Sequence, residues 1–308
     1  MDEIVLRTEK IGKRYGKREA VSDLSLEIRR GEIFALVGEN GAGKTTLLKM
    51  ICGLTKPTSG ALEIFGQTSE RARNRARSRI GSVIETPGFF PYLTAEQNLE
   101  YSRIGRGRGD PGCVGRALKT VGLEDTGKKK FKSFSLGMKQ RLGLALAVMN
   151  SPDILVLDEP INGLDPVGIR EFREVLRKLN RRSRTTVLIS SHILGELSQI
   201  ATDYGFIRNG RLLECIGADP LRKKCRSFLR IEADDAERAA GVLRERCGCR
   251  DVEVDGKREL RVNGVDKDRP ELLVRALVEN GVLVSQVIRS GISLEQYFLN
   301  LIGGDRVA

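Results

Sequence analysis

The run Gly38-Glu39-Asn40-Gly41-Ala42-Gly43-Lys44-Thr45-Thr46 is a full match to G-x-x-x-x-G-K-[ST]. It follows the apolar stretch Ile33-Phe34-Ala35-Leu36-Val37 and opens a segment with Leu47, Leu48, Met50 and Ile51 at helical spacing. Glycines let the chain turn tightly enough for successive N–H groups to point at phosphate oxygens, and a helix amino terminus adds favourable partial charge. Lys44 can then reach the outer phosphates, and the Thr45 hydroxyl can hold Mg²⁺. A second apolar stretch, Ile154 to Leu157, delivers Asp158 and Glu159 at its end. Side chains alternate along a strand, so the two acids are expected on opposite sides with different jobs. Asp158 suits the Mg²⁺ shell, and Glu159 suits an attacking water. A third stretch, Thr186-Val187-Leu188-Ile189, ends in Ser190-Ser191-His192. His192 is the only histidine among 308 residues. A lone histidine is more often structural than catalytic, but one just past a buried strand stands where a γ-phosphate or its water would be met.

These residues need elements to carry them. Strand-like and helix-like segments alternate up to about residue 220, which argues for a mixed α/β domain on a largely parallel sheet. Open α/β sheets bind ligands beyond the carboxyl ends of their strands, where each of the three apolar stretches stops. Between the first two the character changes. Arg71, Arg73, Arg75, Arg77 and Arg79 alternate through RARNRARSR, followed by GRGRGDPG and GKKKFK, and this region reads as an inserted, more helical subdomain. A stretch from Pro220 to Arg226, PLRKKCR, reads as a linker. Beyond it the order is strand (Phe228 to Ile231), helix (Asp235 to Arg246) and two strands (Asp251 to Val254, Glu259 to Val262). A helix (Pro270 to Glu279) and a strand (Val282 to Val287) complete it. This resembles a small ferredoxin-like βαββαβ module, with a short helix from Ser293 at the end.

Shortly before the Asp158 strand lies Phe134-Ser135-Leu136-Gly137-Met138-Lys139-Gln140-Arg141. With it, residues 1 to about 220 resemble the ATP-binding cassette (ABC) ATPases. The resemblance implies a P-loop ABC-type nucleotide-binding domain over residues 1–220, a mixed sheet core plus a helical subdomain at about 86–152, and a small C-terminal α+β domain over 221–308. It implies ATP and Mg²⁺ as ligands and ATP hydrolysis as the activity. Ser135 and the Gly137 amide would open a second anion-binding helix, which in the family closes on the nucleotide held by the opposite subunit. Asn162-Gly163-Leu164-Asp165 resembles the D-loop, whose Asp165 would tie the half-sites together. Tyr15 resembles the aromatic that stacks on adenine, although a lone aromatic serves equally well in a core. One chain holds both halves of the site, so a homodimer suffices.

Two departures stand out. The signature has Leu136, Gly137 and Met138 where two glycines and a glutamine are usual, but keeps the serine and second glycine that would bind phosphate. Glu85, in IGSVIETPGFFPYLTAEQNL, stands where the Q-loop glutamine is usual. A carboxylate can accept from water or join the Mg²⁺ second shell, but cannot donate as an amide does. Gln97 is no substitute, because it falls in a helix-like stretch. Glu85, the TPGFFPYLTAEQNL segment, SLGMKQRLG and LEQYF together resemble the bacitracin-resistance and lantibiotic-immunity branch of bacterial ABC exporters. That implies an ATPase subunit peripheral to the cytoplasmic face of the cell membrane, driving a separate transmembrane permease that exports an antimicrobial peptide or drug. The rival class is a soluble ABC ATPase acting on nucleic acid or the ribosome. A single cassette with no coiled-coil insertion weighs against it.

Composition agrees with a globular chain, at 40% hydrophobic and 31% charged residues. No run approaches the roughly 18–20 apolar residues of a membrane-spanning helix, and the acidic start MDEIVLRTEK is unlike a signal peptide. Six scattered cysteines read as reduced cytosolic thiols. The net charge of +12 is uneven, since residues 71 to 141 carry 16 basic and 6 acidic groups. By resemblance this segment faces the membrane subunit, so docking beside an acidic leaflet accounts for the charge better than nucleic acid does. A solvated helical face is the bland alternative.

Overall fold

Five consecutive buried residues make β3 (Ile33–Val37) a strand covered on both faces, as expected of a central parallel strand. In the computed structural model it lies in a six-stranded sheet with β5 (Ile80–Val83), β6 (Ile154–Asp158), β7 (Thr186–Ser191), β8 (Asp203–Arg208) and β9 (Arg211–Gly217). The order is β5-β6-β7-β3-β8-β9, parallel throughout except between β8 and β9. The structure describes residues 3–85, 88–107, 110–225, 228–263 and 270–303. Thr86, Pro87, Arg108, Gly109 and Arg226, all in segments discussed above, lie outside them.

The chain divides into two compact units, Met1–Ala218 and Asp219–Ala308. The first carries a second sheet that the alternating pattern did not announce. Its strands are β1 (Ile4–Tyr15), β2 (Arg18–Arg29) and β4 (Ser59–Ile64), antiparallel in the order β2-β1-β4. In β2 the buried residues Val21, Leu24, Leu26 and Ile28 are separated by polar ones, so one face alone is apolar. Helix α1 (Lys44–Cys52) joins the two sheets. Its Leu47, Leu48, Met50 and Ile51 share one core with Leu6, Leu24 and Ile28 of the antiparallel sheet and with Leu36 and Val156 of the parallel one. Each such side chain contributes about 1.5–3 kcal/mol on burial, so the start of α1 is fixed from both sides.

The arginine-rich run lies earlier than the inserted helices. It forms α2 (Glu70–Ala76) and a single 3₁₀ turn, both before β5. The insertion itself is α3 (Ala95–Gly105), α4 (Gly112–Val121) and α5 (Leu136–Val148). Gln97 is the third residue of the capping box that begins α3: its side chain accepts from Thr94 N–H at 3.0 Å while its own N–H donates to Thr94 Oγ1 at 3.2 Å. Several arginines are engaged inside the fold rather than displayed. Arg73 donates to the Leu62 carbonyl at 3.0 Å, and Arg77 to those of Ile51 and Met50 at 2.9 and 3.3 Å. Part of the basic excess therefore ties α2 to α1 and β4, and charge reversal at Arg73 or Arg77 would disturb packing before it tested any membrane contact.

Helix α6 (Pro166–Ser183) and the short α7 (Leu194–Leu197) complete the first unit. Helix α8 (Ala218–Lys224) replaces the expected linker, with Leu221 fully buried. The second unit then runs β10 (Phe228–Ala233), α9 (Ala236–Cys247), β11 (Asp251–Asp255), β12 (Glu259–Asn263), α10 (Pro270–Glu279), β13 (Val284–Ser290) and α11 (Leu294–Gly303). Its sheet is antiparallel in the order β11-β12-β10-β13. Ala239, Leu243, Leu273 and Leu277 of α9 and α10 fill its core with Leu229, Ile231, Leu260 and Val262. All six cysteines are free thiols, and burial pushes Cys52 up to about 11.

At the amino ends of the parallel strands, Asp153 accepts from Arg30 Nη1 and Arg79 Nε, both at 2.8 Å. These charged hydrogen bonds, Arg79 foremost, hold the Asp153 carboxyl below its usual pKa. A depressed carboxyl stabilises the fold above its unfolded pKa, and that contribution is lost as pH falls through the folded value. Solvent screening at these partly exposed side chains limits the network to about 1 kcal/mol. Asp153→Asn is therefore predicted to lower the melting temperature at pH 7 by about 2–4 °C and to flatten the acid limb of the stability profile below about pH 4. Thermal melts across pH check this, and an unchanged melting temperature with an unchanged acid limb would contradict it.

Candidate functional site

The register of the parallel sheet gathers the chemistry at one edge. Val37 pairs with Ser191, Asp158 with Ser190, and Val83 with Leu157. The ends of β3, β5, β6 and β7 therefore lie level, and whatever follows each strand meets at the start of α1.

The loop after β3 is built by close backbone approach. A Cβ on Gly38 would stand 2.4 Å from the Ile207 carbonyl oxygen, and one on Gly43 would stand 2.6 Å from that of Ala20. Gly43 also has φ +109° and is the N-cap of α1, a conformation that L side chains rarely adopt. A cavity of about 350 Å³ opens here. The loop residues Asn40 to Thr46 form one wall, Tyr15, Arg18 and Ala20 form another, and Glu159 closes it. Tyr15 is 48% exposed, with Lys13 Nζ 5.0 Å from its ring centre. An aromatic this exposed at a cavity wall fills no core and leaves ring surface accessible.

Lys44 is almost fully buried. Its ammonium donates to the carbonyls of Gly38 at 2.6 Å and Glu39 at 3.1 Å, and lies 3.1 Å from Glu159 Oε1. A buried cation needs such partners. Next to it, Thr45 Oγ1 donates to Asp158 Oδ2 at 2.7 Å. Ser190 Oγ donates to Asp158 Oδ1 at 2.6 Å and accepts from the Glu159 N–H at 3.0 Å.

The two acids do not point to opposite sides as strand alternation predicts. β6 ends at Asp158, and Glu159 turns out of the strand with φ +46°. That left-handed residue brings both carboxylates to the phosphate loop, Asp158 against Thr45 and Glu159 against Lys44. Such a conformation in a non-glycine residue is costly and concentrates at functional sites. His192 Nδ1 lies 2.8 Å from Glu159 Oε2; with the carboxylate ionised, Nδ1 carries the proton and donates. Glu159 Oε1 is buried and receives no directed hydrogen bond. One oxygen is thus oriented by the histidine, and the other retains accepting capacity beside Lys44.

Glu85 follows β5 and also has a left-handed backbone, φ +63°. It pairs with Lys49 Nζ of α1 at 2.6 Å. This carboxylate raises the Lys49 ammonium above its ordinary pKa, with smaller contributions from Tyr15 and Asp158. Ser135, Gly137 and Asp165 do not line the cavity within the subunit. Ser135 is the N-cap of α5, accepting from Met138 N–H at 3.3 Å. Leu136 reaches over Gly163, so the start of α5 rests on the loop before α6. Asp165 caps α6 by accepting from Gly168 N–H at 2.8 Å. The loop carrying His192 is held from behind, because the buried Arg173 of α6 donates to Glu196 Oε2 at 2.8 Å and to the Glu196 carbonyl at 3.3 Å.

Comparison with known proteins bears on this arrangement. Residues 21–162 match the family model for ABC transporters. Over 303 residues the chain is 40% identical to the bacitracin transport ATP-binding protein BcrA of Bacillus licheniformis, covering 98% of this chain and 99% of that one. The chain belongs to the ATP-binding proteins of ABC transporters. The lantibiotic transport ATP-binding protein SrtF of Streptococcus pyogenes is 40% identical over 209 residues, 68% of this chain and 89% of that one. Among solved structures, cbiO1 from Clostridium perfringens, part of the ABC transporter complex cbiONQ, superposes with TM-score 0.65 at 25% identity, covering 72% of this chain and 92% of that one. The cassette MJ0796, in a dimeric post-hydrolysis state bound to ADP and Pi, gives TM-score 0.62 at 26% identity, covering 69% and 98%. This ABC transporter subunit binds ATP and is an ATPase.

Nothing in the sequence marks Ser190 as functional beyond its place in the run Ser190-Ser191-His192. Its hydroxyl links the Asp158 carboxylate to the Glu159 backbone. Ser190→Ala removes one hydrogen bond from each of two half-buried groups, the Asp158 carboxylate and the Glu159 N–H, a loss of about 1–3 kcal/mol, and is predicted to lower kcat for ATP about tenfold or more. Steady-state ATPase measurements test this. An unchanged kcat in a folded variant would show that the hydroxyl does not position the acids.

Proposed function

We propose that this ABC ATPase works as a homodimer and drives a separate transmembrane permease, at the cytoplasmic face of the membrane, that exports a bacitracin-like or lantibiotic-like antimicrobial peptide. The observation that carries the cargo class is that identity to a bacitracin transport ATP-binding protein runs through 98% of the chain, C-terminal unit included. The dimeric form of the similar cassette MJ0796 supports the homodimer. The placement of cbiO1 in a transporter complex supports the permease. Among the described residues no helix is long and apolar enough to cross a membrane. Exposed Phe90, Tyr92, Tyr101 and Ile104 offer an apolar patch on the helical insertion, with Phe90 and Tyr101 edge to face at 4.7 Å. Such a patch fits a protein partner better than water.

In this reading Tyr15 stacks on adenine, and the amides from Gly38 to Thr46 with Lys44 cradle the phosphates. Glu159, oriented by His192, accepts a proton from the attacking water. Ser135 and Gly137 of one subunit close on the nucleotide of the other, with Asp165 between the half-sites. Mg²⁺ fits the donors present: the Thr45 hydroxyl and the Asp158 carboxylate are adjacent hard oxygens. Among the described residues no cluster of three or more His, Cys, Asp or Glu forms a closed cage. The adjacent Thr45 hydroxyl and Asp158 carboxylate suit an ion whose remaining positions would be taken by water and substrate phosphates. When bound, it would neutralise developing charge on the phosphate oxygens. We assign residues 1–220 to the nucleotide-binding domain, with the helical subdomain at about 86–152, and 221–308 to an accessory domain of ferredoxin-like type. The division at Ala218 and the strand order β11-β12-β10-β13 support this.

Lys44→Ala is predicted to reduce ATP turnover at least about a hundredfold. In cells carrying the chain with its membrane partner, it should also abolish tolerance to exported peptide. Retained turnover in purified protein would remove Lys44 from the site. Turnover lost with tolerance to bacitracin and to a lantibiotic both unchanged would remove the cargo class.

A further inference from the structure

Three carboxylates, Asp158, Glu159 and Glu85, stand at one sheet edge, and each has its own compensation. Asp158 accepts hydroxyl hydrogens from Thr45 and Ser190. Glu159 lies against Lys44 and His192. Glu85 lies against Lys49 at 2.6 Å. The elements dictate this last pairing. Lys49 is four residues after Thr45 on α1 and so sits on the same face, one turn further on. Val83 pairs with Leu157, so Glu85 stands two residues beyond the ladder as Glu159 does. A glutamine at position 85 would bring no charge to this edge. A glutamate adds a negative charge beside two others, where a triphosphate must also be accommodated, and like charges in a partly excluded site repel.

We propose that Lys49 is the counter-ion that makes Glu85 compatible with ATP at this edge, a positioning residue that holds the carboxylate on α1 and out of the path of the phosphates. This rests on the reading of the loop from Gly38 to Thr46 as the ATP site. Among the described residues Glu85 is the side chain that Lys49 hydrogen-bonds, with Tyr15 and Asp158 acting on it only at longer range. The pair is partly exposed, with 31% and 66% of the side chains accessible, so its effect is modest and sensitive to salt.

The test is a double-mutant cycle on the full-length protein: wild type, Lys49→Met, Glu85→Gln and the double variant. It is read by fluorescent ATP-analogue binding and by KM and kcat, with thermal melts confirming folding. Lys49→Met is expected to weaken nucleotide binding about three- to fivefold when residue 85 is glutamate, to do nothing further when it is glutamine, and to be rescued by Lys49→Arg. Raising salt should shrink the wild-type advantage. Equal effects of Lys49→Met in both backgrounds, or no effect in either, would overturn the pairing. Failure of the wild type itself to bind or turn over ATP would instead overturn the reading of the site, so the two failures are distinguishable.

Discussion

The level ends of the buried parallel strands are the constraint from which the rest of the site follows. Val37 against Ser191 and Asp158 against Ser190 put the phosphate loop, the acids and the histidine loop at one height. Strands covered on both faces hold this register firmly, because their apolar residues have no solvent-facing alternative. A slip of one residue between β6 and β7 would break the Ser190 bridge and carry Asp158 away from Thr45. The core shared by α1 and both sheets fixes the remaining direction, the distance of Lys44 and Thr45 from that edge.

The edge is dense in charge, and its arrangement is one of paired compensation rather than net neutrality. Lys44 is buried against loop carbonyls and Glu159, so its ammonium is already directed before any phosphate engages it. Preorganised charge of this kind needs little rearrangement during reaction, which is the largest contribution an enzyme makes to phosphoryl chemistry. The left-handed backbones of Glu159 and Glu85 belong to the same design. Each strand ends in a sharp turn that presents a carboxylate towards α1. Further out, α6 connects regions that act together in the proposed mechanism. Asp165 caps its start, and Arg173 grips the segment after His192.

What was legible in the sequence was local. The phosphate loop is contiguous, its glycines answer to backbone geometry, and the helix after it has its own apolar period. Asp158 and Glu159 were legible as acids ending an apolar run, but not their common direction, which depends on one positive φ. Ser190 and Lys49 were not legible, because their significance lies in partners 32 and 36 residues away. The antiparallel sheet is not legible in the sequence because strands with one apolar face resemble any amphipathic strand until their pairing is known. The arginines from 71 to 79 looked like a surface patch, whereas carbonyls left free near α1 and β4 claim Arg73 and Arg77. In the C-terminal unit the order of strands and helices was readable from alternation alone.

The central claim is that one chain carries both halves of a composite site and that Glu159 drives hydrolysis within it. Glu159→Gln removes the proposed proton acceptor with little change in side-chain size. Light scattering of the purified variant with and without ATP, alongside turnover, tests the claim most directly. The account predicts a dimer that forms with ATP, persists, and does not hydrolyse. A variant that remains monomeric with ATP, or that turns over at the wild-type rate, would contradict it.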